Sequence, residues 1–259
     1  MNLYIDKLKQ EFKSHTSLTK QDLYDFYTKN NEKAPESDFF WYLYALKQEN
    51  FIKALYKDTY KLIDKNTFEF EPFLDTKLSD IHNVLSKFDL TDYCLWSSAW
   101  LNEFTIHQVP RSFIILEVEK EAVESIFYHL RDMGYKEVFL LFAKIDETLL
   151  DRYIFEAENP IIIRKIITKS PTNKILDPLS KIPINIPRLE KILVDLYCED
   201  NLFRAYKGSE QYNIFENALK KYTLNFKTLL AYAQRRKKDA SLKNYLFQHF
   251  QEELEQTLV

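Results

Sequence analysis

Residues 35–63 read Pro35-Glu36-Ser37-Asp38-Phe39-Phe40-Trp41-Tyr42-Leu43-Tyr44-Ala45-Leu46-Lys47-Gln48-Glu49-Asn50-Phe51-Ile52-Lys53-Ala54-Leu55-Tyr56-Lys57-Asp58-Thr59-Tyr60-Lys61-Leu62-Ile63. Two periods meet in this stretch. Phe39, Leu43 and Leu46 fall at i, i+4 and i+7, which is one face of a helix opened by Pro35 and Ser37. After Asn50 the spacing shortens to two β-rich runs, Phe51 to Leu55 and Thr59 to Ile63, around Tyr56-Lys57-Asp58. That change predicts a hairpin directly behind the helix.

Upstream, the run from Leu18 to Asn30 predicts a helix that Ser17 or Thr19 can cap, with Asp22 near its positive end. Leu3 to Phe12 is amphipathic. The order helix, helix, helix, hairpin predicts a winged helix-turn-helix over residues 1–66, in which the third helix enters the major groove and the hairpin touches the adjacent backbone. On this reading Trp41, Ala45 and Gln48 look outward. Trp41 and Tyr42 are candidates for contacting bases, and Lys47, Lys53, Lys57 and Lys61 for contacting phosphate. The alternative is a small helical bundle with a β-ribbon that binds protein rather than DNA.

The chain has 259 residues, enough for this unit and a second domain over residues 67–259. It contains 20 Phe and 17 Tyr but only two glycines, Gly134 and Gly208, so no glycine-rich phosphate loop can be built. That composition fits the codon bias of an AT-rich genome and weakens arguments from any single Tyr or Lys. Cys94 and Cys198 have no partner spacing, which predicts a reducing cytoplasm and neither disulfide nor metal framework. No apolar run approaches the length of a membrane span, and no signal peptide is expected. The net charge is −3. Residues 1–64 carry ten Lys/Arg and ten Asp/Glu, so the predicted DNA-binding unit is neutral where such units are usually basic.

Beyond a connector over residues 64–76, alternation in Phe68 to Phe73 predicts a short strand ended by Pro72. A helix over 77–88 follows, then strands over 92–96, 112–118, 137–143 and 161–168, with helices over 99–104 and 120–133 between them. The fold class is α+β, with a mixed α/β second domain. Prolines at 171, 178, 183 and 187 predict a loop-rich passage, and helices then run over 188–197, 210–222, 225–235 and 241–256.

Candidate chemistry is sparse. Glu117, Glu119 and Lys120 resemble the strand-borne acids and lysine of restriction nucleases, but Lys120 has the wrong parity for the shared strand face. A strand end running into a helix with a solvated acidic first turn is the better account of them. No histidine has metal-ligand spacing, and Ser97-Ser98 lacks a glycine-flanked elbow. No catalysis and no cofactor are expected. In the C-terminal part, Glu190 and Asp195 are expected to be solvated or end-capping acids on one helix. Arg235-Arg236-Lys237-Lys238 is a helix end complementing its own dipole, or a patch for nucleic acid or an acidic protein.

Pro187-Arg188-Leu189-Glu190-Lys191-Ile192-Leu193-Val194-Asp195-Leu196 resembles a P-x-x-E-K-x-L-x-D-L helix of AbiE-type abortive-infection antitoxins, the type IV toxin–antitoxin group. Tyr222 to Tyr232 with Arg235-Arg236 is similar to that family's tail, and Leu95 to Phe104 to the helix behind its first strand. With the N-terminal unit, the resemblance covers nearly the whole chain. It implies a winged helix that binds the operon's own promoter DNA. It also implies a second domain that antagonises a nucleotidyltransferase toxin, with Glu190, Asp195, Arg235 and Arg236 as the candidate partner surface. Here Phe40 and Tyr42 stand where that family commonly has arginines, and Tyr56-Lys57-Asp58 replaces a glycine-containing turn.

Overall fold

The computed structural model describes residues 3–13, 15, 17–31, 35–48, 51–56, 58–62, 70–88, 90, 92–141 and 153–251. The fold is mixed α and β. The chain divides into two compact units: residues 1–69 with 218–234 and 238–259, and residues 70–217 with 235–237.

The first unit opens with α1 (Ile5–Glu11), β1 (Leu18–Thr19), α2 (Lys20–Asn30), α3 (Glu36–Gln48), β2 (Ile52–Tyr56) and β3 (Thr59–Leu62). Thr19 caps α2 reciprocally. Its Oγ1 accepts from the Asp22 N–H at 3.1 Å, and its own N–H donates to Asp22 Oδ2 at 2.8 Å. Leu18 and the capping Thr19 form a strand that pairs antiparallel with β3, giving a sheet of order β1-β3-β2. The hairpin turns without glycine because Asp58 takes a left-handed φ of 55°, which a short polar side chain tolerates. The Asp58 carbonyl also accepts from the Lys20 N–H at 2.7 Å. Leu8, Leu23, Phe26, Phe39, Leu46 and Ile52 form the centre of one apolar core drawn from α1, α2, α3 and β2. The expected inward face of α3 is therefore present, with Phe39, Leu43 and Leu46 all buried.

The strand expected across Phe68 to Phe73 falls partly outside the described residues, and residues 70–75 carry no strand. In the second unit α4 (Thr76–Leu85) is capped by Asp75, whose Oδ1 accepts from the Leu78 N–H. β4 (Tyr93–Ser97) leads through a 3₁₀ turn (Ser98–Glu103) to β5 (Ile114–Val118). Then come α5 (Val123–Asp132), β6 (Val138–Leu140) and β7 (Ile161–Lys165). These strands form one sheet of order β4-β5-β7-β6, antiparallel between β4 and β5 and parallel elsewhere.

The passage expected to be loop-rich is instead a hairpin of β8 (Thr172–Leu176) and β9 (Pro183–Pro187). Prolines at both ends of β9 are compatible with a two-stranded ribbon, where one ladder side needs no N–H. Its turn is fixed by the buried Asp177, which accepts from Ser79 Oγ at 2.8 Å and Ser180 Oγ at 2.6 Å. Burial pushes the Asp177 carboxyl up, but these hydroxyls and the Leu179 and Ser180 N–H groups more than offset this and hold it below its ordinary value. Helices α6 (Leu189–Cys198), α7 (Ser209–Lys221), α8 (Phe226–Arg235) and α9 (Asp239–His249) complete the chain. Among the described residues no helix is long and apolar enough to cross a membrane.

Candidate nucleic-acid interface and a buried charge network

The outward face of α3 is aromatic. Phe40, Trp41 and Tyr44 are 61%, 68% and 55% exposed. Trp41 and Tyr44, one turn apart, meet edge to face with ring centroids 6.1 Å apart. Lys20 at the start of α2 places Nζ 5.0 Å from the Phe40 ring centre, and exposed Lys47 places Nζ 4.9 Å from that of Tyr60. Trp41 and Lys47 thus stand on the surface as their candidate roles require. Lys61 is half-buried on β3. Lys53 belongs to β2, but its side chain, like the whole of Lys57, lies outside the described residues.

Tyr42 corrects the sequence reading. It is fully buried, its ring packs 5.0 Å from that of Tyr27, and its hydroxyl donates to the Leu3 carbonyl at 3.2 Å. Burial, and then Tyr27 beside it, push its phenol well above the ordinary value. The reason is helical geometry. Position 42 lies three residues beyond Phe39 and four before Leu46, inside the stripe that faces the core. It cannot reach a base edge.

The second unit holds a site that sequence reasoning did not assemble. In-register pairing sets Cys94, Glu117 and Arg164 side by side across β4, β5 and β7, on one face of the sheet. Lys191 and Asp195 of α6, one turn apart, and Glu199 one further turn on, meet that row. Arg164 Nε donates to Glu117 Oε1 at 2.9 Å, and its Nη1 is 2.6 and 2.5 Å from the two Glu199 oxygens. Lys191 Nζ lies 2.5 Å from both Glu117 Oε2 and Asp195 Oδ2. Arg236 reaches Asp195 Oδ1 at 3.3 Å and Glu199 Oε1 at 2.6 Å. Three carboxylates therefore face three cations, and the cluster is neutral.

Neutrality is what allows such burial, since an isolated ion at these positions would carry a desolvation cost of several kcal/mol. Glu117, Lys191 and Asp195 are each 0% exposed. Burial drives the Asp195 carboxyl up, but Lys191, Arg164 and Arg236 outweigh it and hold the group below its ordinary value. Burial pushes the neighbouring Cys94 thiol well up and Cys198 up to about 11.

This arrangement corrects two partner-surface candidates. Asp195 is sealed in the charge network, and Glu190 is buried beside Arg188, whose Nε lies 3.4 Å from its Oε2. The expectation of solvated or end-capping acids fails because almost the whole circumference of α6 is buried. Arg235 is exposed, while Arg236 is largely committed to Asp195 and Glu199. Glu117 also loses its possible metal role, because both of its oxygens are taken by Arg164 and Lys191. Glu119 instead accepts from the Asp92 N–H at 2.8 Å, and Lys120 lies in a 3₁₀ turn. Among the described residues no group of three or more His, Cys, Asp or Glu is placed to hold a metal ion.

Sequence signals for the network existed. Lys191 and Asp195 stand at i, i+4, and Glu117 and Arg164 are lone charges within Ile-Ile-Leu-Glu-Val and Ile-Ile-Ile-Arg runs.

Among protein families, one described as "Family of unknown function (DUF6577)" matches residues 38–252. That is more than half of the chain, so the chain belongs to this family. No curated protein matches it.

Proposed function

We propose that this member of the DUF6577 family is a DNA-binding regulator of the antitoxin type, without catalytic activity of its own. In this reading residues 1–66 act as a winged helix-turn-helix on double-stranded promoter DNA. The remainder counteracts a nucleotidyltransferase toxin in the cytoplasm, as its resemblance to AbiE-type abortive-infection antitoxins implies. One observation carries the first half. α2 and α3 are followed directly by an antiparallel hairpin whose sheet is completed by the strand ahead of α2, around a single aromatic core. In that topology the outward face of α3 is the recognition face. Trp41 and Lys47 lie on it or at its edge.

Lys47, Lys53, Lys57 and Lys61 serve as phosphate contacts in this reading. Arg235 remains the exposed candidate for partner contact. Asp195 and Arg236 have a structural role beneath it.

A shift assay with the duplex covering the protein's own promoter tests the DNA half. Binding should weaken with salt at a log–log slope of about −3 to −4 if four lysines neutralise phosphates. Absence of any shift at low salt would remove the assignment. Co-expression with a nucleotidyltransferase encoded beside the gene tests the toxin half, and failure to restore growth would remove it.

A specific observation favours a second reading, a protein-binding module whose winged helix does not touch DNA. Residues 1–64 are charge-neutral, and α3 presents rings rather than arginines. The same shift assay separates the two.

A further inference from the structure

We infer that α3 reads thymine through its C5-methyl group, an inference that rests on the DNA-binding reading above. The outward stripe of α3 runs through Ser37, Phe40, Trp41 and Tyr44. Guanine is ordinarily read by Arg or Lys at O6 and N7, and adenine by the amide of Asn or Gln. The described side chains of this stripe include no guanidinium, and the amide that the sequence places on the same face is Gln48, beyond the last ring. They offer three exposed rings, and the group in the major groove that rewards an apolar contact is the thymine methyl.

The rings are held in place before any ligand arrives. Phe40 lies under the Lys20 ammonium at 5.0 Å, and Trp41 is braced edge to face by Tyr44. Rings fixed in this way lose little rotamer freedom on docking. Charge complementarity points to a polyanion as the occupant. Lys20 stands on one flank of the stripe and Lys47 near its end, placed to meet phosphates on either side of a groove while the rings face its floor.

The test compares two promoter duplexes of one sequence, one with thymine and one with uracil at every T position, against the full-length protein. Removing a methyl from a buried apolar contact weakens binding about fourfold, so two contacted thymines should give a ratio of about 15. Trp41→Ala and Tyr44→Ala should bring that ratio towards 1. Both side chains are more than half exposed, so each variant should melt with the parent. Equal binding of the two duplexes by the parent would overturn the inference and leave DNA binding intact. A ratio unchanged in both variants would also overturn it, since the methyl would then be acting through DNA shape rather than through α3. Binding of neither duplex would overturn the DNA reading and this inference together, leaving the ring face to a protein partner.

Discussion

Asp195→Ala should destabilise the protein severely, and the reason is electrostatic accounting rather than lost volume. The carboxylate is 0% exposed and lies 2.5 Å from Lys191 Nζ and 3.3 Å from both Arg164 Nη2 and Arg236 Nη1. Without it, three cations face only Glu117 and Glu199, and one positive charge is buried without compensation. Removing one partner of a buried pair costs about 3–5 kcal/mol. For a unit of about 150 residues each kcal/mol lowers the midpoint by about 3 °C, so a fall of about 10–15 °C is expected. Circular-dichroism melts at neutral pH measure it. Lys191→Met combined with Asp195→Leu restores neutrality, with Glu117 and Glu199 against Arg164 and Arg236, and should melt above either single variant. The pH dependence follows. The folded carboxyl is held below its ordinary value, so its contribution is present above the unfolded pKa of about 4 and is lost as pH falls through the folded value. The gap between parent and Asp195→Ala should therefore narrow below pH ~4. An Asp195→Ala variant that melts within 2 °C of the parent at pH ~7 would refute the account, because only a solvated carboxylate is lost so cheaply.

Tyr42→Phe should cost about 0.5–1.5 kcal/mol through its bond to the Leu3 carbonyl and leave any DNA affinity unchanged, whereas Tyr42→Ala opens a core cavity and should cost about 3–5 kcal/mol by urea titration. Asp177→Ala unpins the β8–β9 turn from Ser79 and should cost about 1–3 kcal/mol, a loss that fades in melts below pH ~4 because this carboxyl too is held below its ordinary value. Cys198, pushed up to about 11, is almost wholly protonated at pH ~8 and Cys94 is sealed, so a disulfide reagent should label neither quickly until guanidinium unfolds the chain. Arg235→Ala should melt close to the parent, and in co-expression it tests the one exposed partner-surface candidate.

Much of the first unit was readable because its signals are local. Thr19 and Asp22 are a capping pair three residues apart, Phe39, Leu43 and Leu46 mark a face, and the period changes at Asn50. What escaped depended on distant partners. Leu18-Thr19 reads as the start of a helix and becomes a strand only because Tyr60 and Thr59 lie opposite it. The β8–β9 ribbon hides among prolines, which punctuate loops and two-stranded edges alike, and the Asp177 turn is tied to the fold by Ser79 on α4, 98 residues away. Tyr42 was misplaced for another reason. A tyrosine fits a core stripe and a binding face equally, and the carbonyl that accepts its hydroxyl is 39 residues away.

The charge network makes the same point with consequences for function. Asp195 and Arg236 drew attention as charged residues in a family-like helix and tail, and charge suggested surface. Asp195 pairs with Arg164 on β7, 31 residues upstream, and Arg236 with Asp195 and Glu199, 41 and 37 residues upstream, so apart from Lys191 at i−4 little near them in the chain announces burial. A motif that resembles a functional signature can therefore be a folding requirement. The P-x-x-E-K-x-L-x-D-L pattern here places Lys191 and Asp195 against Glu117 and Arg164, which is a structural use of two of its positions. Loss of toxin control on Asp195→Ala would then report unfolding of the second unit. The same loss in a stably folded Arg235→Ala variant would report a contact. Only the latter bears on a partner, and for this reason the melt must accompany every growth assay on these residues.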